Sequence, residues 1–334
     1  MTQELIIRKD RHAGRITFNR PQALNALSHT MACAIHAALK EWQNDPEVRL
    51  IIIDANGERA FCAGGDIAAV YHAGLAGDHA EGQKFFFDEY RMNASIAGYP
   101  KPVIAFMQGF VMGGGVGVGG HADHRIVGDT TQIAMPEAGI GLIPDVGGSW
   151  LLGHAPDHIG EYLALTTARM DAGDAIHAGF ADYYLPEPEW PALADQLAKT
   201  GDETLIQGRH PPKPSLTDID LSAFAAPDMT GIIALLEQQN ADDMLKPIRR
   251  NSPLSMAAGL QLVRAARSDR CIEESLTREY RFTHRAITDS DFLEGVRAQV
   301  IDKDRNPRWS ADASGASVAA ILSPLGSKEL YFND

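Results

Sequence analysis

The chain has 334 residues, 45% of them hydrophobic, with a formal net charge of −14 and a pI near 5.3. That apolar content supports a sizeable core and excludes wholesale disorder. The acidic balance excludes a broad surface for nucleic acid or anionic membrane, and the length is that of roughly two domains. Three widely spaced cysteines, Cys33, Cys62 and Cys271, offer neither a disulfide framework nor a zinc spacing, which points to a reducing compartment. No window approaches the ~20 apolar residues of a membrane span, and residues 1–10 hold no long apolar core. The expected location is therefore cytoplasmic.

In chain order, 5–8 and 15–18 read as two short strands around a turn at Gly14. Asn19-Arg20-Pro21 breaks the second. Ile35, Leu39 and Trp42 give 31–42 helical spacing, with Ser28 as its cap. The apolar run 48–53 predicts a strand buried on both faces, and 61–66 a loop entering another helix. Residues 75–81 read as a mobile polar loop. Residues 85–97 form a helix with Phe86, Tyr90 and Asn93 on one side and Glu89 near its middle. A buried strand follows at 103–106, then the glycine run 113–120. Met135-Pro136-Glu137 comes next, and then Gly141 to Gly148 with Asp145 among glycines and prolines. Helices at 161–165 and 172–178 and a last short strand at 181–185 complete an alternation that favours α/β packing. Residues 211–227, rich in Pro, Asp, Ser and Ala, read as a linker. Helices follow at 232–240, 253–267 (capped by Ser252) and 272–287, and the tail beyond 311 reads as loosely held.

Glycines between a strand and a helix present free N–H groups to a negative charge. The glycine run 113–120, with the two carboxylates Glu137 and Asp145 further on, suggests an oxyanion-stabilising turn with acids beside it. The glycine run is not a dinucleotide fingerprint, since the acidic residue that closes such a unit is missing. His121, Asp123 and His124 lack a matching third cluster and read as structural. Ser149 lacks a nucleophile elbow. Cys62 reads as a small buried residue.

Asn19-Arg20-Pro21 with Asn25-Ala26-Leu27, then Phe61-Cys62-Ala63-Gly64-Gly65-Asp66, then Gly113-Gly114-Gly115, then Glu137 with its Gly- and Pro-rich continuation resemble, in that order and spacing, the crotonase (enoyl-CoA hydratase/isomerase) superfamily. Within it the chain is most similar to a branch of 3-hydroxyisobutyryl-CoA hydrolases. Three features carry that similarity. Gly117 stands where hydratases carry a first catalytic glutamate; Asp145 matches a hydrolase aspartate; and Glu279-Tyr280-Arg281 with 291–304 matches the branch's C-terminal run.

The resemblance implies an α/β fold, a crotonase-like spiral of ββα units with a helical C-terminal region. The expected organisation is a core with the acyl-CoA site over 1–210, a linker over 211–228, a helical region over 229–310 and a tail over 311–334. It implies hydrolysis of a short 3-hydroxyacyl-CoA, with a place in valine breakdown. Gly65 and Gly114 would supply two oxyanion N–H donors, each worth ~10²–10³ in rate. Glu137 would act as general base or as nucleophile, and Asp145 would accept a bond from the substrate's 3-hydroxyl. Glu89 would line the acyl pocket, and Asn25, Ala26, Leu27, Gly64, Asp66 and Ile67 would skirt the CoA. Arg20 is a candidate phosphate contact, with a surface role equally open. No metal and no cofactor beyond the CoA of the substrate are expected. The expected partner is the small-molecule acyl-CoA, with no nucleic acid and no membrane, and with self-association into a homo-oligomer as a family habit. The competing readings are an enoyl-CoA hydratase or isomerase, and a non-catalytic CoA-binding protein.

Overall fold

The computed structural model describes residues 4–332. Met1 to Gln3, the start of the segment judged to lack a signal core, and the last two residues of the predicted tail lie outside them. The chain forms two compact units of interleaved segments: residues 4–65, 91–134 and 169–217, and residues 66–90, 135–168 and 218–332.

Among the described residues the first unit holds nine strands: β1 (Leu5–Asp10), β2 (Ala13–Phe18), β3 (Leu50–Ala55), β4 (Ala60–Cys62), β5 (Val103–Met107), β6 (Phe110–Met112), β7 (His124–Val127), β8 (Gln132–Ala134) and β9 (Tyr183–Tyr184). β1 and β2 make an antiparallel hairpin, and the larger sheet continues in the order β1-β2-β3-β5-β7-β9 with parallel neighbours. The smaller sheet is β4-β6-β8, also parallel. Successive pairs β3/β4, β5/β6 and β7/β8 thus place one strand in each sheet, which is the expected spiral. β3 and β5 lie inside the sheet, with Leu50 to Ile53 and Val103 to Met107 buried, as their unbroken apolar sequence requires. Trp190, Ala194 and Leu197 of the helix Trp190–Thr200 pack with Ile52, Ile104 and Phe106 to close this core. Asp123 is structural, as read: its Oδ2 accepts the Val103 N–H at 2.9 Å where β5 begins.

Ser28 caps the helix His29–Gln43 through the Met31 N–H at 3.3 Å. Ser252 caps Pro253–Ala266 through the Ser255 N–H at 3.3 Å. The second unit has its own core, in which Ala138 and Leu165 pack with Phe224, Ile232, Leu236, Ile248 and Leu260.

Three expectations need correcting. The loop over 75–81 is shorter than read, because a helix already begins at His79 and runs to Ala97. The linker stretch is packed rather than slack: Leu216 and Phe224 are buried in two 3-10 turns, and Asp174 holds the Ser215 hydroxyl at 2.7 Å and the Leu216 N–H at 2.9 Å. The boundary between the units falls inside it, after Thr217. The tail carries a helix, Gly315–Ile321, with Val318 and Ile321 buried, and Arg285 donates to the carbonyls of Ile321 and Ser323 at 2.9 and 2.7 Å. Its small, polar composition hid the few apolar residues that dock it.

Candidate active site

The two glycine loops sit at the ends of neighbouring strands. β4 and β6 pair in parallel, with Cys62 opposite Val111, so their C-terminal ends lie side by side. Gly65 follows one end and Gly114 the other. Gly64 has φ +118 and its added Cβ would lie 3.5 Å from the Met112 carbonyl, so this loop runs beside the exit of β6. Gly113 turns that exit into the helix Gly114–Gly119 with φ 47 and ψ −116, which only glycine adopts without strain. Gly114 is the first residue of that helix, so its N–H belongs to the unpaired first turn. Gly65 forms a parallel bridge with Leu27, whose N–H donates to Gly64 O at 2.9 Å, leaving the Gly65 N–H outside that bond. Gly115 presses the glycine helix onto β4: a Cβ there would stand 2.0 Å from Cys62 O.

Of the expected CoA contacts, Leu27 is wholly buried in the core and Ala26 half-buried. Asn25, in the left-handed region at φ 55, spends its side chain on the protein. It accepts the Arg20 N–H at 2.8 Å and donates to Asn56 O at 3.0 Å and Ala60 O at 2.8 Å. Asn25 therefore shapes the loop, and any ligand contact from it is through the backbone. Arg20 donates to Ala26 O at 3.0 Å and pairs with Glu4 at 3.0 Å. Gly64 and Gly65 are half-buried beside Leu27. In the second unit Asp66 precedes the helix Ile67–Leu75, and Asp66 and Ile67 are both half-buried.

The second unit gathers the acids. Glu89, Glu137 and Asp145 are 2, 4 and 4% exposed, and Glu279 is fully buried. Glu137 opens the 3-10 turn Glu137–Ile140, which the C-terminal region buttresses. Ser252 N–H donates to Ala138 O at 2.9 Å and the Ser290 hydroxyl to Gly141 O at 3.3 Å. Gly295 lies so close that a Cβ there would reach Ile140 C and O at 2.2 Å. Asp145 accepts the Tyr90 hydroxyl at 2.7 Å. Glu279 accepts the Gly147 N–H at 2.8 Å, the Ser149 N–H at 3.0 Å and the Ser149 hydroxyl.

Burial sets the electrostatics. Removing a carboxylate from water disfavours its charged form, and neighbouring negative charge adds to the effect. Glu137 is held well above the ordinary carboxylate range, first by burial and then by Asp145. Glu89 is raised in the same way, by burial and then by Asp145. Burial lifts Asp145 to about 7 against the opposing Tyr90 bond, and lifts Glu279 to about 7 against its three hydrogen bonds. Among the described residues, Glu137 Oε2 and Glu89 Oε1 have no hydrogen-bond partner. Buried, unpaired carboxylate oxygens are costly, and such costs collect where chemistry is done.

Two residues of this cluster escaped the sequence reading of the site. Tyr90 is placed on the correct helix face without a polar role. Glu279 is noted only as part of the C-terminal run, because a glutamate mid-helix looks like an exposed one until its partners 130 residues away are known.

A model of the enoyl-CoA hydratase/isomerase family matches residues 13–322. The chain belongs to that family, the crotonase superfamily, and is a crotonase-fold enzyme of acyl-CoA thioesters. It is 37% identical over 98% of its length to a mitochondrial 3-hydroxyisobutyryl-CoA hydrolase of Gallus gallus, 90% of which is covered. It is 51% identical to the solved structure of an enoyl-CoA hydratase from Rhodobacter sphaeroides 2.4.1, with a TM-score of 0.95 over 99% of this chain and 100% of that one. A carnitinyl-CoA dehydratase from Mycobacterium thermoresistibile is 38% identical, with a TM-score of 0.93 and 99% of each chain covered. The cytoplasmic expectation gives way here. The Gallus gallus relative and its counterparts from Rattus norvegicus and Homo sapiens are mitochondrial proteins, and cysteine usage does not say which compartment holds the chain. Among the described residues no helix is long and apolar enough to cross a membrane.

Proposed function

We propose that the chain hydrolyses the thioester of a short 3-hydroxyacyl-CoA, with 3-hydroxyisobutyryl-CoA the leading candidate, releasing the hydroxy acid and CoA. The observation that carries this reading is Gly117. The buried helix position where family hydratases keep their first glutamate bears no carboxylate, and Glu137 remains. Eight curated relatives named as 3-hydroxyisobutyryl-CoA hydrolases or probable ones, 34–38% identical, support it.

In this reading the N–H groups of Gly65 and Gly114 receive the negative charge that forms on the thioester oxygen. Glu137 either takes a proton from the attacking water or attacks the carbonyl itself, giving a mixed anhydride that water opens. The C–S bond breaks in both routes and CoA leaves as the thiol once protonated. Asp145, steadied by Tyr90, accepts the substrate's 3-hydroxyl, and Glu89 lines the acyl pocket. The backbone at Asn25, Ala26, Leu27, Gly64, Asp66 and Ile67 borders the CoA.

The second reading is an enoyl-CoA hydratase or isomerase. The comparison with solved structures favours it, since the 51% identical structure is described as a hydratase and the 38% identical one as a dehydratase. One assay separates the two. 3-Hydroxyisobutyryl-CoA and a short enoyl-CoA are each offered, and free thiol and enone absorbance are followed. Thiol release from the first supports hydrolysis, and loss of the enone without thiol release replaces it with hydration.

A further inference from the structure

The roles given to Glu137, Asp145 and Glu89 leave one buried acid of the cluster unused. Glu279 lies on the helix Ile272–Asp289, yet both its oxygens serve the turn that follows Asp145. Oε2 accepts the Gly147 N–H at 2.8 Å, and Oε1 accepts the Ser149 N–H at 3.0 Å together with the Ser149 hydroxyl. That turn is under strain. Val146 has φ 56, a left-handed conformation that a β-branched side chain avoids, and Gly147 follows at φ 79. Gly148 N–H closes back on Asp145 O at 2.7 Å. The helix Gly148–His154 begins here, and its N-cap residue supplies no side-chain bond. Without Glu279, the Gly147 and Ser149 N–H groups would lose these acceptors in a buried setting. Tyr90, by contrast, bonds the Asp145 carboxylate and not the backbone of the turn.

We propose that Glu279 is a positioning residue. It clamps the strained 145–149 turn across 130 residues of sequence and so fixes the direction in which Asp145 meets the substrate's 3-hydroxyl. The inference rests on the role given to Asp145 above. It also assigns a purpose to the Glu279-Tyr280-Arg281 run, which otherwise only marks a branch of the family.

Glu279→Gln keeps the side chain's shape but sets an amide NH₂ against one of the two backbone donors. Turnover is measured for the full-length wild type, E279Q, D145N and the double variant. The substrates are 3-hydroxyisobutyryl-CoA and isobutyryl-CoA, which lacks the hydroxyl. E279Q is expected to lower kcat ~10²-fold on the hydroxylated thioester, the typical result of a small misplacement, and by no more than about threefold on the other. In the D145N background, E279Q adds no more than about a further twofold, because both variants remove one interaction. Ser149→Ala, which deletes only the hydroxyl bond, gives a smaller loss with the same substrate pattern and decides the matter if E279Q does not fold. Equal losses on the two thioesters, or losses that multiply in the double variant, overturn the clamp. If the wild type releases thiol from neither, the hydrolase reading fails instead. The same cycle is then run on enoyl-CoA hydration, whose product carries the 3-hydroxyl, and multiplying losses there overturn the clamp as well.

Discussion

Replacing Gly115 by alanine tests the geometry of the glycine helix without touching a reacting group. The new Cβ would stand 2.0 Å from Cys62 O, 2.9 Å from Cys62 C and 3.1 Å from its Cβ. Two of those three atoms are backbone of β4, so no side chain can swing aside. Relief to an ordinary contact of ~3 Å or more requires the start of the helix to move by about 1 Å. Gly114 is the adjacent residue, and an oxyanion donor must lie within 2.7–3.1 Å of its target, so a shift of that size costs on the order of 10²-fold in kcat. Overpacking adds ~1–3 kcal/mol of destabilisation. The assay is steady-state turnover beside urea unfolding. G115A is expected to lose kcat far more than affinity for CoA, and to unfold earlier than wild type. Gly315→Ala is the control: it meets nothing within 4 Å at the exposed first position of the docked helix Gly315–Ile321, and is expected to leave both quantities unchanged. A folded G115A that retains kcat within threefold of wild type would refute the placement of the oxyanion donor at Gly114.

Further outcomes follow from the acid cluster. Gly295→Ala drives a Cβ to 2.2 Å from Ile140 C and O, and is expected to lower kcat by displacing the turn that carries Glu137, read in the same turnover assay. If Glu137 is the base, the acidic limb of the kcat/KM profile is expected above the ordinary carboxylate range, because burial and then Asp145 raise Glu137. Asp145→Asn removes that negative neighbour and moves the limb to lower pH; a limb that stays in place or moves up contradicts the coupling. Stability also depends on these groups. Glu279 is lifted by burial from 4.5 to about 7, so the folded chain binds its proton more tightly than the unfolded one. Its contribution is therefore fully present below pH ~4.5 and is lost as pH rises through about 7, roughly 3 kcal/mol in all. Urea titrations from pH 4.5 to 7.5 should show the wild type losing more stability across that window than E279Q, and equal slopes would count against it.

The fold was legible where local pattern and tertiary demand agree. The unbroken apolar runs of β3 and β5 can only be buried strands, and Ser28 and Ser252 announce their helices by their capping chemistry. Asp145 and Glu137 stand out because acids among glycines and prolines are seldom core-forming. Glu279 was obscured by distance: Leu276 and Thr283 put it on the buried helix face, but its bonds reach 130 and 132 residues along the chain, where no local pattern shows them. The structural work of the Asn25 side chain was hidden for the opposite reason. Its motif is distinctive, but its side chain is consumed by Asn56 O, Ala60 O and the Arg20 N–H, a requirement of the turn rather than of a ligand. The docked tail was missed because Val318, Ile321 and Leu330 are too few to rise above their polar surroundings.

The proposal that Glu137 alone carries the acid–base or nucleophilic step is tested most directly by Glu137→Gln. The amide keeps the volume of the buried side chain and relieves it of its unfavourable charge, so the variant is expected to fold and to bind CoA with near wild-type affinity. Thiol release from 3-hydroxyisobutyryl-CoA should fall by ~10³-fold or more, the scale of a lost general base or nucleophile. Turnover within about tenfold of wild type, with CoA binding intact, would remove Glu137 from the chemistry and contradict the account.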